Sequence, residues 1–216
     1  AAKGRGEAPL GATVRVAGPG RKSRFARQSH RGNPAPRTSQ EFMETVCDIL
    51  EQLVREGILK RYAIGGATAA GFHGEPLATR DIDVFVFLDA PSGSLLVEVE
   101  PLYRRLRELG FTSFDEEALL IHDLPVQFIV ASPGLESEAV EHAATLEWQD
   151  HRMRVMTPEY LAAIALHVGR PKDRARLVFL ADLPAFNRSR LEEILARHDL
   201  SERWRQWSAA LGLNQS

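Results

Sequence analysis

The sequence predicts an α+β protein: a small mixed β-sheet core with helices, followed by a C-terminal helical subdomain. Three observations predict it. Apolar residues recur at helical spacing over residues 39–58. A short strand, a glycine turn and a β-branched strand then follow within residues 62–88, and beyond residue 157 only helical signals remain. The chain of 216 residues is 44% apolar and 26% charged, the balance of a folded domain, and is long enough for one domain with an appendage. The expected divisions are residues 1–38, a flexible basic tail; 39–156, the α/β core; and 157–216, the helical subdomain.

In chain order, Phe42, Val46, Ile49, Leu50, Leu53, Val54 and Ile58 share one helical face, with Gly57 near the end, which predicts an amphipathic helix. Residues 62–64 read as a strand running into Gly65 and Gly66, and the small residues 67–72 as a helix after that turn. Over 81–88, Ile82, Val84, Val86 and Leu88 alternate with Asp83, Phe85 and Phe87, a strand pattern with buried β-branched positions. Residues 95–109 predict a helix with Leu102, Leu106 and Leu109 on one face and Gly110 just past its end. Strands at 117–122 and 125–131 flank Asp123 and Leu124 and predict an antiparallel hairpin. A helix over 135–147 and a short strand over 152–155 close the core. Thr157, Pro158 and Glu159 then supply a hydroxyl cap, a first-turn proline and an early acid for a helix to about Val168. Pro171 starts another helix, Arg188 or Ser189 a third, and Ser201 a last one that carries Trp204 and Trp207.

Residues 1–38 hold nine Lys and Arg side chains against one acid, Glu7, and almost no large apolar residue. Such a segment cannot offset its ordering entropy by burial, so it is expected to stay outside the fold. Its composition is that of a solvated extension, an arm that touches nucleic acid or another polyanion, or an organelle transit peptide. The single cysteine, Cys47, has no disulfide partner, and no apolar run reaches the roughly 18 to 20 residues of a membrane span. The expectation is a cytoplasmic protein with no membrane partner.

Chemistry concentrates between residues 65 and 83. Two glycines after a strand let the backbone turn sharply and approach a ligand, and the helix that follows offers unpaired N–H groups to phosphate oxygens. A glycine pair alone is more often only a turn. Asp81 and Asp83, two apart in a strand, project from one face about 6 to 7 Å apart, so both carboxylates can converge on a cation while Ile82 points the other way. Acids within a Val, Ile and Phe strand are costly to bury unless a cation compensates them. Other candidate proton acceptors are His73, Glu75, His122, Asp123 and His167, of which His73 and Glu75 precede the acidic strand. Trp148, Trp204 and Trp207 are available either as stacking platforms or, at the helical spacing of the last two, as core. There is no Ser-His-Asp signature, no Walker-type phosphate loop and no zinc spacing.

Gly65 and Gly66 followed by a short helix and then Thr79, Arg80, Asp81, Ile82, Asp83 resembles the signature of the polymerase β-like nucleotidyltransferase superfamily. The stretch Gly169, Arg170, Pro171, Lys172, Asp173, Arg174 is similar to the helical motif of its AbiEii-like minimal members, some of which are toxins of toxin–antitoxin pairs. Together the likeness covers most of residues 60–180. It implies a nucleotidyltransferase core in which Asp81 and Asp83 are the catalytic, Mg2+-binding residues. Gly65, Gly66, Ala67 and Thr79 would line the nucleotide, and Lys172, with Arg170 and Asp173, would meet its phosphates. The substrate would be an NTP, the acceptor an RNA, a protein or a small molecule, and a toxin-type member would have an antitoxin as partner. The chemistry implied is in-line displacement at the α-phosphorus with loss of pyrophosphate.

Two positions depart from that pattern. Ala67 stands where many relatives have serine, and Gln127 stands where many have a third carboxylate; an amide neither adds negative charge nor serves as a base. Arg170 and Lys172 also fit as surface charges at a helix start, and Asp173 as a first-turn acid. The readings left open are an enzyme and a catalytically silent relative that binds nucleotide or nucleic acid.

Overall fold

The computed structural model describes residues 14–15, 39–75, 81–88 and 98–213. Its strands are Val14–Arg15 (β1), Arg61–Ile64 (β2), Ile82–Phe87 (β3), Phe114–Asp115 (β4), Ala118–Ile121 (β5), Leu124–Val130 (β6), Ala144–Trp148 (β7) and His151–Val155 (β8). Its helices are Ser39–Arg55 (α1), Gly66–Phe72 (α2), Glu100–Glu108 (α3), Leu135–Glu141 (α4), Pro158–Val168 (α5), Pro171–Ala181 (α6), Arg188–Arg197 (α7) and Ser201–Ala210 (α8). The strands form one mixed sheet in the order β1-β7-β8-β2-β3-β6-β5-β4. The fold is α+β, as the pattern of hydrophobic periods predicts. Apart from Val14–Arg15, which pairs in parallel with β7, the basic segment 1–38 lies outside the described residues.

The sheet positions two faces. Tyr62 and Ile64 of β2 lie opposite Val86 and Val84 of β3, all fully buried, and the Tyr62 hydroxyl donates to Glu51 of α1 at 2.8 Å. This is the face that α1 covers with Val46, Leu50 and Leu53, also fully buried. Alternation turns Ala63, Asp83 and Phe85 to the other face, toward α2 and the C-terminal helices. There α5 enters as a nearly all-buried helix and α7 and α8 add Leu191, Ile194, Leu195 and Trp204 to the core. Gly57, at φ +72°, ends α1 in a left-handed turn whose N–H donates to Val54 O, and the next residue, Ile58, donates to Leu53 O.

Three differences from the sequence expectation have physical causes. The helix expected over 135–147 ends at Glu141, and residues 144–148 are strand β7. Thr145, Leu146 and Trp148 pair with β8 across a two-residue turn in which Gln149 takes φ +55°. Ladder bonds to β8 outweigh the helical propensity of an Ala- and Glu-rich run. Strand β4 is too short to leave a period of its own and exists by pairing with β5. The hairpin turn falls at His122 and Asp123, one residue earlier than expected, with φ of +49° and +68°. These are the two positive dihedrals of a tight turn matched to strand twist.

Aspartate pays a left-handed penalty at position 123 that glycine does not, so Asp123→Gly is expected to raise stability by about 0.5 to 1 kcal/mol in urea denaturation. A decrease would contradict the turn geometry.

Candidate functional site

The site is built where β2 ends, turns at Gly65 and Gly66 and enters α2, beside the start of β3. Gly65 N–H donates to Asp83 O at 2.8 Å, so this donor belongs to the sheet. A Cβ on Gly65 would sit 2.6 Å from the Phe85 ring. Gly66 is at φ +57°, and a Cβ there would lie 1.9 Å from Asp83 Oδ2. The two glycines are therefore required by the approach of the turn to β3, and the Asp83 carboxylate occupies the space that a side chain at 66 would fill. The first intrahelical bond of α2 runs from Ala69 N to Gly65 O at 3.0 Å, which leaves the amides of Gly66, Ala67 and Thr68 ahead of the helical ladder. Thr68 Oγ1 donates to Asp81 O at 3.0 Å and ties the start of β3 to α2.

Asp83 is half-buried and Asp81 exposed. Burial raises the Asp83 carboxyl above its ordinary 3.8, and the charge of Asp81 raises it further. Arg170, Lys172 and Arg176 act in the opposite direction. The two acids and the cations of α6 thus share one electrostatic site, although at least 87 residues separate them in sequence. Gln127 of β6 lies in parallel register with Asp83 and so shares its face of the sheet. Among the described residues no three His, Cys, Asp or Glu side chains form a metal cluster. The donor set is two carboxylates with a neutral amide beside them, which fits a hard cation such as Mg2+ that keeps part of its water shell.

The structure places the other candidates as follows. Asp173 is fully buried, and its Oδ2 accepts from the N–H and Nε of Arg170 at 3.0 and 3.1 Å, so it caps α6. Lys172 is exposed in the first turn of α6 and Ala67 is in the first turn of α2. Thr79 lies outside the described residues. His73 Nε2 donates to Met156 O at 2.8 Å, and burial lowers its pKa, which keeps the ring neutral and that nitrogen unavailable as a base. His122 packs between the rings of Phe42 and Phe111, His122 and Asp123 form the hairpin turn, and His167 is exposed near the end of α5. Trp204 is core; Trp207 is flanked by Arg174 and Arg203, and Trp148 meets Phe72 edge-on.

No protein-family model matches the chain, and no curated protein matches it. Solved structures similar to it include an antigenic nucleotidyltransferase-like protein from Paracoccidioides brasiliensis, at 18% identity and a TM-score of 0.49, over 83% of this chain and 95% of that one. A second is the antibiotic-resistance factor ANT(2'')-Ia, at 15% identity and a TM-score of 0.46, over 81% of this chain and 96% of that one.

Sequence reasoning missed Thr68 and the buried pair formed by Glu75 and Arg176, whose Oε2 and Nε are 3.1 Å apart. In sequence Glu75 is only a candidate proton acceptor, and no local pattern links two residues 101 positions apart.

Gly66→Ala places a Cβ against a carboxylate and forces a left-handed alanine; the expected loss is about 2 to 4 kcal/mol of unfolding free energy. For Asp83 the sign follows from its raised pKa. The folded chain holds the proton more tightly than the unfolded chain, so stability falls as pH rises from 3.8 through the raised value and stays low above it. Asp83→Asn is expected to unfold at higher urea than wild type at pH 7, with the difference shrinking toward pH 4. A variant less stable at pH 7 would refute the desolvation.

Proposed function

We propose that this protein is a magnesium-dependent nucleotidyltransferase that moves a nucleoside monophosphate from an NTP to an RNA, protein or small-molecule acceptor. The observation that carries this reading is the placement of the Asp83 carboxylate against the side-chain-free Gly66, with Asp81 beside it and the Arg170 and Lys172 cations acting on it from α6. A plain structural turn explains the glycines but not why two acids and several cations meet there.

In this reading Asp81 and Asp83 hold Mg2+, which when bound supplies charge stabilisation to the attacking and leaving oxygens. The N–H groups of Gly66 and Ala67 and the side chains of Lys172, Arg170 and Thr79 bind the triphosphate and aim its α-phosphorus at the acceptor hydroxyl. A bond forms from that oxygen to phosphorus as its proton passes to solvent water, the bond to the β-phosphate breaks, and pyrophosphate leaves. Asp173 serves the nucleotide indirectly by holding Arg170. Within the superfamily the AbiEii-like branch is the proposed home, which makes a toxin-type enzyme with an antitoxin partner a corollary.

Gln127 favours a second reading. An amide at the position in register with Asp83 leaves the site one negative charge short of the three-carboxylate arrangement, as a nucleotide-binding but catalytically silent relative would be.

The test is incubation with Mg2+, labelled NTPs and total RNA or protein. Wild type is expected to label an acceptor, and Asp81→Asn and Asp83→Asn to lower labelling at least about a hundredfold. Lys172→Ala is expected to weaken NTP binding about tenfold, the loss of one charge-assisted contact. Nucleotide binding without labelling establishes the silent reading; neither binding nor labelling refutes both.

A further inference from the structure

Arg176 Nε donates to Glu75 Oε2 at 3.1 Å, and the two side chains are 10% and 3% exposed. Glu75 is fixed at the end of α2, where its N–H donates to Ala70 O at 3.0 Å. On the α6 side, Arg176 Nη1 lies 4.0 Å from Asp173 Oδ1, one helical turn away, and Asp173 in turn binds the N–H and Nε of Arg170. A continuous chain of charge therefore runs from the glycine-turn helix to the first turn of α6, the turn that carries Lys172. An apolar pair of the same volume holds a fold as well or better than a buried ion pair. What the charged pair adds is one fixed arrangement of the two elements, with a cation held within electrostatic range of the acids.

We propose that Glu75 and Arg176 are positioning residues for nucleotide binding: their ion pair fixes the first turn of α6, with Arg170 and Lys172, opposite Asp83. The ligand in this statement rests on the nucleotidyl-transfer reading; the mechanical linkage rests on the contacts alone.

The test uses the full chain with Glu75→Leu/Arg176→Met, which replaces both charges with apolar groups of similar size and leaves neither unpaired. Thermal unfolding, amide hydrogen exchange of residues 173–177 without nucleotide, and affinity for each ribonucleoside triphosphate with Mg2+ are measured. The expected result is a melting temperature within about 5 °C of wild type, exchange at 173–177 faster by about tenfold or more, and affinity lower by about tenfold or more. Arg176→Lys, which keeps the charge, is expected to fall between the two proteins in both exchange and affinity, and it carries the same decision where the double variant folds poorly. Unchanged exchange overturns the inference whatever nucleotide does, and unchanged affinity in a stable variant overturns its functional half. If wild type binds no nucleotide while exchange rises in the variant, the nucleotidyl-transfer reading falls and the mechanical linkage stands.

Discussion

The close approach of the Gly66 backbone to the Asp83 carboxylate sets the arrangement of everything around it. A residue with a side chain at 66 would push β3 away from the turn, and with it Asp81, the Thr68 tether and the Phe85 ring that packs on Gly65. The same approach strips water from Asp83 and burdens the fold with a partly buried carboxylate. Proteins keep such a burden where function needs charge, since a more stable neutral side chain is one substitution away. The glycine turn and the desolvated acid are thus two sides of one contact.

Charge balance at the site comes from two segments far apart in the chain. Asp83 enters from β3 and Asp81 from just before it, while Lys172 and Arg176 enter from α6 and Arg170 from its N-cap, and Glu75 and Asp173 neutralise part of that positive set from within. The result is a site that combines two acids from one region of the chain with several cations from another. Gln127, in register with Asp83, adds a neutral amide to that face of the sheet.

A second polar cluster ties the C-terminal helices to α4. Glu138 of α4 accepts from the Tyr160 hydroxyl at 2.9 Å and pairs with Arg197 and His198, which joins α4, α5 and the end of α7. These contacts hold the Glu138 carboxyl at about 2 against the opposing effect of burial. They anchor α5, and through it α6, against the sheet that carries the acids.

Local pattern determined a good deal of this protein: the helical face of α1, the strand alternation of β3 with Asp83 on it, the Pro158 start of α5, and the glycine pair ahead of two acids. Each of these is a short-range signal, because steric freedom, hydrophobic period and capping act within a few residues. The Thr157 hydroxyl expected to cap α5 makes no hydrogen bond, and Asp81 falls just before the strand. Tertiary structure alone decided that residues 144–148 are strand, since only β8 supplies their hydrogen-bond partners. It also decided that Asp173 is a buried cap and that Glu75 and Arg176 form a pair across the site. Ion pairs between residues a hundred positions apart have no sequence period, and they exist only once packing has brought α2 and α6 together.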